Sequence, residues 1–206
     1  MEPMSNFPMD AARWTRGRTL DQFVAAMRHQ QDLIRRRLQE VTLAPDDSAF
    51  FERVAAPVHA LVMTEDWCGD SAMNLPILAK IVQVARGMDL RIWTRSQSPE
   101  LNDYYQARGI THIPVFTFLD ADWKEMGTWV ERPQPARSRI REWLAAHPEA
   151  SAVLRDPTLT PEARRERFNQ AGGREFLAEM ERWYADGLQQ ATVDEIKSLL
   201  LAGEKR

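Results

Sequence analysis

The sequence predicts an α/β domain, a mixed central sheet flanked by helices, with an N-terminal helix before it and an all-helical extension after it. Three observations carry this. A nearly continuous apolar run from Val58 to Met63 is followed at once by residues at helical spacing, and a second run from Leu90 to Thr94 is followed by another helix. Two short apolar runs, 115–119 and 126–130, are then separated by a polar turn at Asp120 to Asp122, the pattern of a β-hairpin. Two strands joined through a helix should be parallel, with a right-handed crossover.

The elements follow in chain order. Thr19 and Gln22 make a capping box, and Leu20, Phe23, Val24, Met27, Ile34, Leu38 and Val41 recur at helical spacing, which predicts one amphipathic helix from Leu20 to Glu40. Arg35, Arg36 and Arg37 fall on its polar face and read as solvated. Pro45, Asp46 and Asp47 read as a loop. Val58 to Met63 has the composition of a strand buried on both faces. Asp70 and Ser71 open the next helix, with Met73, Leu75, Leu78, Ile81 and Val82 as its core side and Gly87 as its stop. Leu90 to Thr94 is a strand with Arg91 pointing out. Ser98-Pro99 starts a helix that ends at Gly109, and after the hairpin Ile140, Trp143 and Leu144 mark a helix closing near His147-Pro148.

Beyond Pro148 the character changes. Thr160-Pro161 starts a charged helix, Gly172-Gly173 breaks it, and Thr192 with Glu195 reads as the cap of a last helix ending before Gly203. Phe168, Phe176, Leu177, Met180, Trp183 and Tyr184 make this tail too apolar to be a disordered appendage, so it folds back on the main domain or packs on a second copy, giving a homodimer through the C-terminal helices. The expected organisation is an irregular segment over 1–18, the α/β domain over 19–148 and a helical extension over 149–206.

Composition narrows the function. A formal charge of -3 provides no large cationic surface for duplex nucleic acid or anionic lipid, so neither is an expected partner. No apolar run approaches the roughly 20 residues of a membrane-spanning helix, and the start has no apolar signal-peptide core, which makes the cytoplasm the expected location. One cysteine excludes a disulfide within the chain and any multi-cysteine metal site built by one copy.

That cysteine, Cys68, falls between a buried strand and the first turn of a helix. Unpaired amides and the positive end of the helix dipole there favour the thiolate, the form that attacks sulfur. At these residues the chain resembles the thioredoxin family, across Val54 to Ala146. Trp67-Cys68-Gly69-Asp70-Ser71 is similar to that family's Trp-Cys-Gly-Pro-Cys. Pro76 falls at the family's helix-kinking proline, Gly109-Ile110-Thr111-His112-Ile113-Pro114 resembles its segment leading to a cis-proline, and Gly127 fits the second hairpin strand. The resemblance implies a thioredoxin fold, catalytic roles for Cys68 and Ser71, and active-site or substrate-binding positions for Trp67, Gly69, Asp70, His112, Ile113 and Pro114. A cis Pro114 would let Ile113 present its backbone to a peptide laid beside Cys68. No cofactor or metal is implied.

Three departures bear on chemistry. Ser71 replaces the second cysteine, so the protein is monothiol and has no resolving thiol of its own. Val62 stands where thioredoxins carry a buried aspartate, removing the usual proton-transfer group. Asp70 replaces the motif proline and joins Glu65 and Asp66 near the sulfur, where negative charge opposes the thiolate that the helix terminus favours. The sequence leaves that contest undecided. His112 is either a proton acceptor or cation for the sulfur or an exposed loop histidine; Ser71 either hydrogen-bonds the thiolate or caps the helix; Trp67 either faces substrate or is packing, one of seven tryptophans.

The leading expectation is thiol-disulfide exchange on protein disulfides or mixed disulfides through Cys68, restored by a low-molecular-weight thiol such as glutathione or bacillithiol. The alternatives are a non-catalytic binding or adaptor protein on the same fold, and an iron-sulfur-binding dimer like the Cys-Gly-Phe-Ser glutaredoxins. Against the last, Trp67 precedes the cysteine and no glycine pair follows the Pro114 strand.

Overall fold

In a computed structural model of the protein, residues 7–54 and 57–203 are described. The remaining positions of the expected 1–18 segment (1–6), of the α/β domain (55 and 56) and of the extension (204–206) lie outside the described residues. Chain order runs α1 (Ala11–Trp14), α2 (Leu20–Ala26), α3 (Gln31–Glu40), α4 (Pro45–Glu52), β1 (Val58–Thr64), α5 (Gly69–Val84), β2 (Met88–Thr94), α6 (Pro99–Ala107), β3 (Val115–Leu119) and β4 (Glu125–Val130). It continues through α7 (Ala136–Ala146), α8 (Pro148–Arg155), α9 (Pro161–Phe168), α10 (Arg174–Trp183) and α11 (Gln189–Gly203).

The strands form one mixed sheet in the order β2-β1-β3-β4. β1 and β2 are parallel, paired from Val58 with Met88 to Thr64 with Thr94, as the intervening helix requires. β3 runs antiparallel to both β1 and β4. β1 and β3 are buried nearly throughout, and on one side of β3 the Tyr105 hydroxyl of α6 meets the Thr117 hydroxyl at 2.6 Å. These central strands need apolar residues on both faces, which is why their sequences read as continuous hydrophobic runs rather than alternating ones.

The structure corrects the sequence reading at several elements. The single helix expected from Leu20 to Glu40 is two, because the backbone leaves the helical region at Met27 (ψ 141°) and reaches the left-handed region at Gln30 (φ 55°). The Asp66 carboxylate accepts the amides of Arg28 (2.8 Å) and His29 (3.3 Å), satisfying donors that the broken helix leaves open. Arg37 is not solvated: its side chain is buried, and its guanidinium donates to the Met73 carbonyl of α5 at 3.3 Å. Pro45, Asp46 and Asp47 form the first turn of α4, with proline at a position whose missing amide costs nothing and acids facing the positive helix end.

The segment over 1–18 also carries order: Asp10 caps α1, and Arg18 bridges to Ile92 of β2 through both backbone groups (2.9 Å each). The helix over 148–155 starts at a proline that the sequence reading treats only as an end. Thr192 is not a cap. It is buried inside α11, and its hydroxyl donates to Asn74 Oδ1 at 3.0 Å.

The chain divides into two compact units, Arg132–Ala191 and the remainder. The sheet unit includes the chain from Thr192 on: beside the Thr192 bond, the Trp129 indole donates to Glu195 at 2.7 Å and Lys197 donates to Asp47 at 2.6 Å. The second unit holds α7 to α10. There Trp143 stacks on His147 (3.8 Å between centroids) and meets Phe176 (4.7 Å), and turns at Gly172 (φ 113°) and Gly187 (φ 101°) separate its helices from one another and from α11. No helix among the described residues is long and apolar enough to cross a membrane.

Candidate functional site

β1 ends at Thr64, the chain turns over residues 65–67, and Cys68 is the N-cap of α5, with extended backbone (φ -78°, ψ 118°) and its carbonyl accepting the Ala72 amide at 3.0 Å. The turn is tied at both acids. Glu65 accepts the Ser96 amide at 2.7 Å, and Asp66 accepts Arg28 and His29. Both carboxylates accept backbone amides of neighbouring segments, and the Asp70 carboxylate is a charge that raises the Cys68 thiol.

Gly69 and Asp70 form the first turn of α5. Ser71 is buried behind the sulfur, where its hydroxyl is hydrogen-bonded to that of Thr64 and also stabilises negative charge on Cys68. Across the site the Ile113–Pro114 peptide is cis, and the Cys68 thiol donates to the Ile113 carbonyl at 3.4 Å. The sulfur, the head of α5 and the bend before β3 thus meet, and the Cys68 side chain there is buried rather than open to solvent. Pro76 lies within α5, and Val62 is fully buried in β1.

The electrostatic contest has an outcome. Burial first, then the Asp70 carboxylate, push the Cys68 thiol from 9.0 up to about 12, against the lowering by the Ser71 hydroxyl and the amides of Ser71 and Asp70. Helix-terminal donors reach the sulfur, but desolvation outweighs them. The acceptor at Ile113 acts in the same direction, because only the neutral thiol can donate to a carbonyl.

His112 is exposed and its ring nitrogen meets the neighbouring Thr111 hydroxyl at 3.2 Å, the arrangement of a loop histidine. Trp67 is half-buried and packs against an apolar cluster that contains Cys68, Ile113, Leu101, Met63 and, from the N-terminal segment, Phe7 and Met9. The sequence reading does not anticipate Phe7 and Met9 at the cysteine. The short signal available was Asp10 ahead of a four-residue helical stretch, a cap that fixes the preceding apolar residues. Thr64, which holds Ser71 in place, is also missed, since a hydroxyl at the end of an apolar strand has no pattern of its own. Among the described residues no group of three or more histidine, cysteine or acidic side chains is placed to hold a metal ion.

A sequence profile described as thioredoxin matches residues 17–145. The chain belongs to the thioredoxin family. Its sheet and flanking helices are the thioredoxin fold, here with a C-terminal helical extension. Among solved structures, a protein of unknown function from Pseudomonas aeruginosa is similar at a TM-score of 0.64 and 19% identity, over 93% of this chain and 97% of that one. An HIV epitope scaffold is similar at 0.60 and 19%, over 93% and 98%. At such identity these likenesses speak to fold, and they extend through the helical tail. No curated protein matches the sequence. In this chain the sulfur stands at a helix head with a cis-proline opposite, Ser71 lies three residues after it, and Val62 is buried in β1.

Proposed function

We propose that this thioredoxin-family protein carries out monothiol exchange on protein mixed disulfides through Cys68, with an external small thiol in place of the missing resolving cysteine. The observation that carries the reading is the sulfur at the head of α5, within hydrogen-bond reach of Ile113 at the cis bond and backed by the Ser71 hydroxyl and first-turn amides. In the first step the Cys68 thiolate attacks the small-thiol sulfur of protein–S–S–R, the protein sulfur leaves and takes a proton, and Cys68–S–S–R forms. A second RSH, as thiolate, then attacks the R sulfur and releases Cys68. The sum is protein–SSR + RSH → protein–SH + RSSR.

The resting thiol is protonated at neutral pH, because burial and the Asp70 carboxylate hold it well above its ordinary range. An extended peptide pairing with Ile113 would take its carbonyl as acceptor and so remove the bond that holds the S–H, coupling substrate binding to activation of the sulfur. The test is to offer the protein a peptide–glutathione mixed disulfide and follow intact mass. Gain of one small-thiol adduct on wild type, none on Cys68→Ser, and reversal by added thiol are expected; no adduct between pH 7 and 9 would refute the exchange.

One observation favours a second reading. A buried, neutral Cys68 suits a thioredoxin-fold binding module that does no chemistry, for which Cys68→Ser would keep partner binding and cellular role intact.

A further inference from the structure

A cleft of about 530 Å³ lies along the C-terminal half of β2, an edge strand of the sheet. Its walls are the N-terminal segment around Met9 and Arg18 and the first turn of α6, with Trp93 and Thr94 beneath. Three guanidiniums line it against one carboxylate. Arg13 is committed, donating to both oxygens of Glu100 (2.8 Å each) and to the Pro8 carbonyl at 2.9 Å. Arg18 is anchored by its backbone bridge to Ile92, and its guanidinium donates to Gln97 at 2.8 Å, which leaves its charge unbalanced. Arg16 is exposed, and its side chain has no partner among the described residues. Two positive charges therefore remain over the cleft. The first turn of α6 adds to them through the amides that the Ser98 side chain leaves uncapped, although Pro99 itself offers none.

Two residues of the cleft, Met9 and Leu101, belong to the buried apolar cluster that also holds Cys68 and Ile113. Trp93 is the register partner of Met63, at the end of the strand leading to the cysteine. A space of this size suits a ligand as large as a tripeptide, and two guanidiniums with a helix start suit carboxylates.

We propose that this cleft binds the carboxylate-bearing end of the small thiol that regenerates Cys68, an inference that rests on the exchange reading above. In that step the bound thiol, as RS⁻, attacks the outer sulfur of Cys68–S–S–R. The new S–S bond joins the two small thiols, and Cys68 departs as thiolate and takes a proton from solvent.

Two measurements test it. Calorimetric titration with S-methylglutathione, which has two carboxylates and cannot exchange, should show saturable binding that Arg16→Glu weakens at least about tenfold. Arg18→Gln should weaken it as well, while inorganic phosphate at equal concentration should not displace it. The second measurement loads Cys68 as a mixed disulfide and times its release by glutathione and by the uncharged 2-mercaptoethanol. Arg16→Glu should slow the first roughly tenfold and leave the second unchanged.

Absent or non-saturable binding, binding indifferent to Arg16→Glu, or displacement by phosphate as a generic anion would overturn the assignment even where exchange proceeds. Failure of wild-type Cys68 to accept any small thiol would overturn the exchange itself, and the thiol assignment with it.

Discussion

Cys68 sits where two local effects compete. A helix start offers donors and a favourable dipole, worth on the order of 1 kcal/mol in solvent, whereas removing a thiolate from water costs several times that. The buried sulfur, at 7% residue exposure, falls on the side of desolvation, and Asp70 adds to it. The thiol is therefore pushed up to about 12. The folded value lies above the unfolded one, so the associated stability is complete below pH 9 and is lost as pH rises toward 12, when only the unfolded chain ionises freely. Full loss amounts to roughly 4 kcal/mol. Iodoacetamide alkylation, followed by mass spectrometry, should accelerate about tenfold per pH unit through pH 10 without levelling. Asp70→Asn should shift the profile to lower pH and Ser71→Ala to higher. A plateau at or below pH 8 would mean that the sulfur is not held as the structure holds it.

Much of the sheet was legible because its strands are short apolar runs bounded by polar turns, and the position of Cys68 followed from the strand-to-helix switch. What the sequence hid depends on distant partners. The periodicity of residues 20–40 is continuous, yet Asp66 supplies the acceptor that stabilises a break at Arg28 and His29. Local pattern contains no trace of a carboxylate 38 residues further along the chain. Thr192 and Glu195 have capping-box spacing, but their side chains bond Asn74 and Trp129 instead, so tertiary partners override the local signal. Gly127 shows the reverse case. The resemblance marks it, and the structure gives the reason: a Cβ there would lie 2.6 Å from Leu199 Cδ2 of α11. Gly127→Ala should destabilise the protein by about 1–3 kcal/mol, and adding Leu199→Ala should recover part of the loss. Denaturant melts of the two single variants and the pair measure this coupling, and strict additivity would show that α11 does not press on β4.

The sheet unit is assembled from both ends of the chain. Trp14, in the N-terminal segment, donates its indole N–H to Asp89 of β2 at 2.7 Å, and α11 joins from the other end after the whole second unit has intervened. The bonds Thr192 to Asn74, Glu195 to Trp129 and Lys197 to Asp47 span 118, 66 and 150 residues. Such closures delay part of the native contact set until most of the chain is present, and they make the C-terminal helix part of the domain that carries Cys68 rather than an appendage to it. Ile196 tests this, because it is fully buried on α11 while lying beyond every strand in sequence. If α11 belongs to the sheet's cooperative unit, Ile196→Ala should cost about 2–5 kcal/mol of global stability. It should then lower hydrogen-exchange protection in β1 and β3 by the same free energy as in α11, since one opening exposes all three. Loss of protection confined to α11, with β1 and β3 unchanged, would instead define the helix as a separately opening element, and the sheet would stand without it.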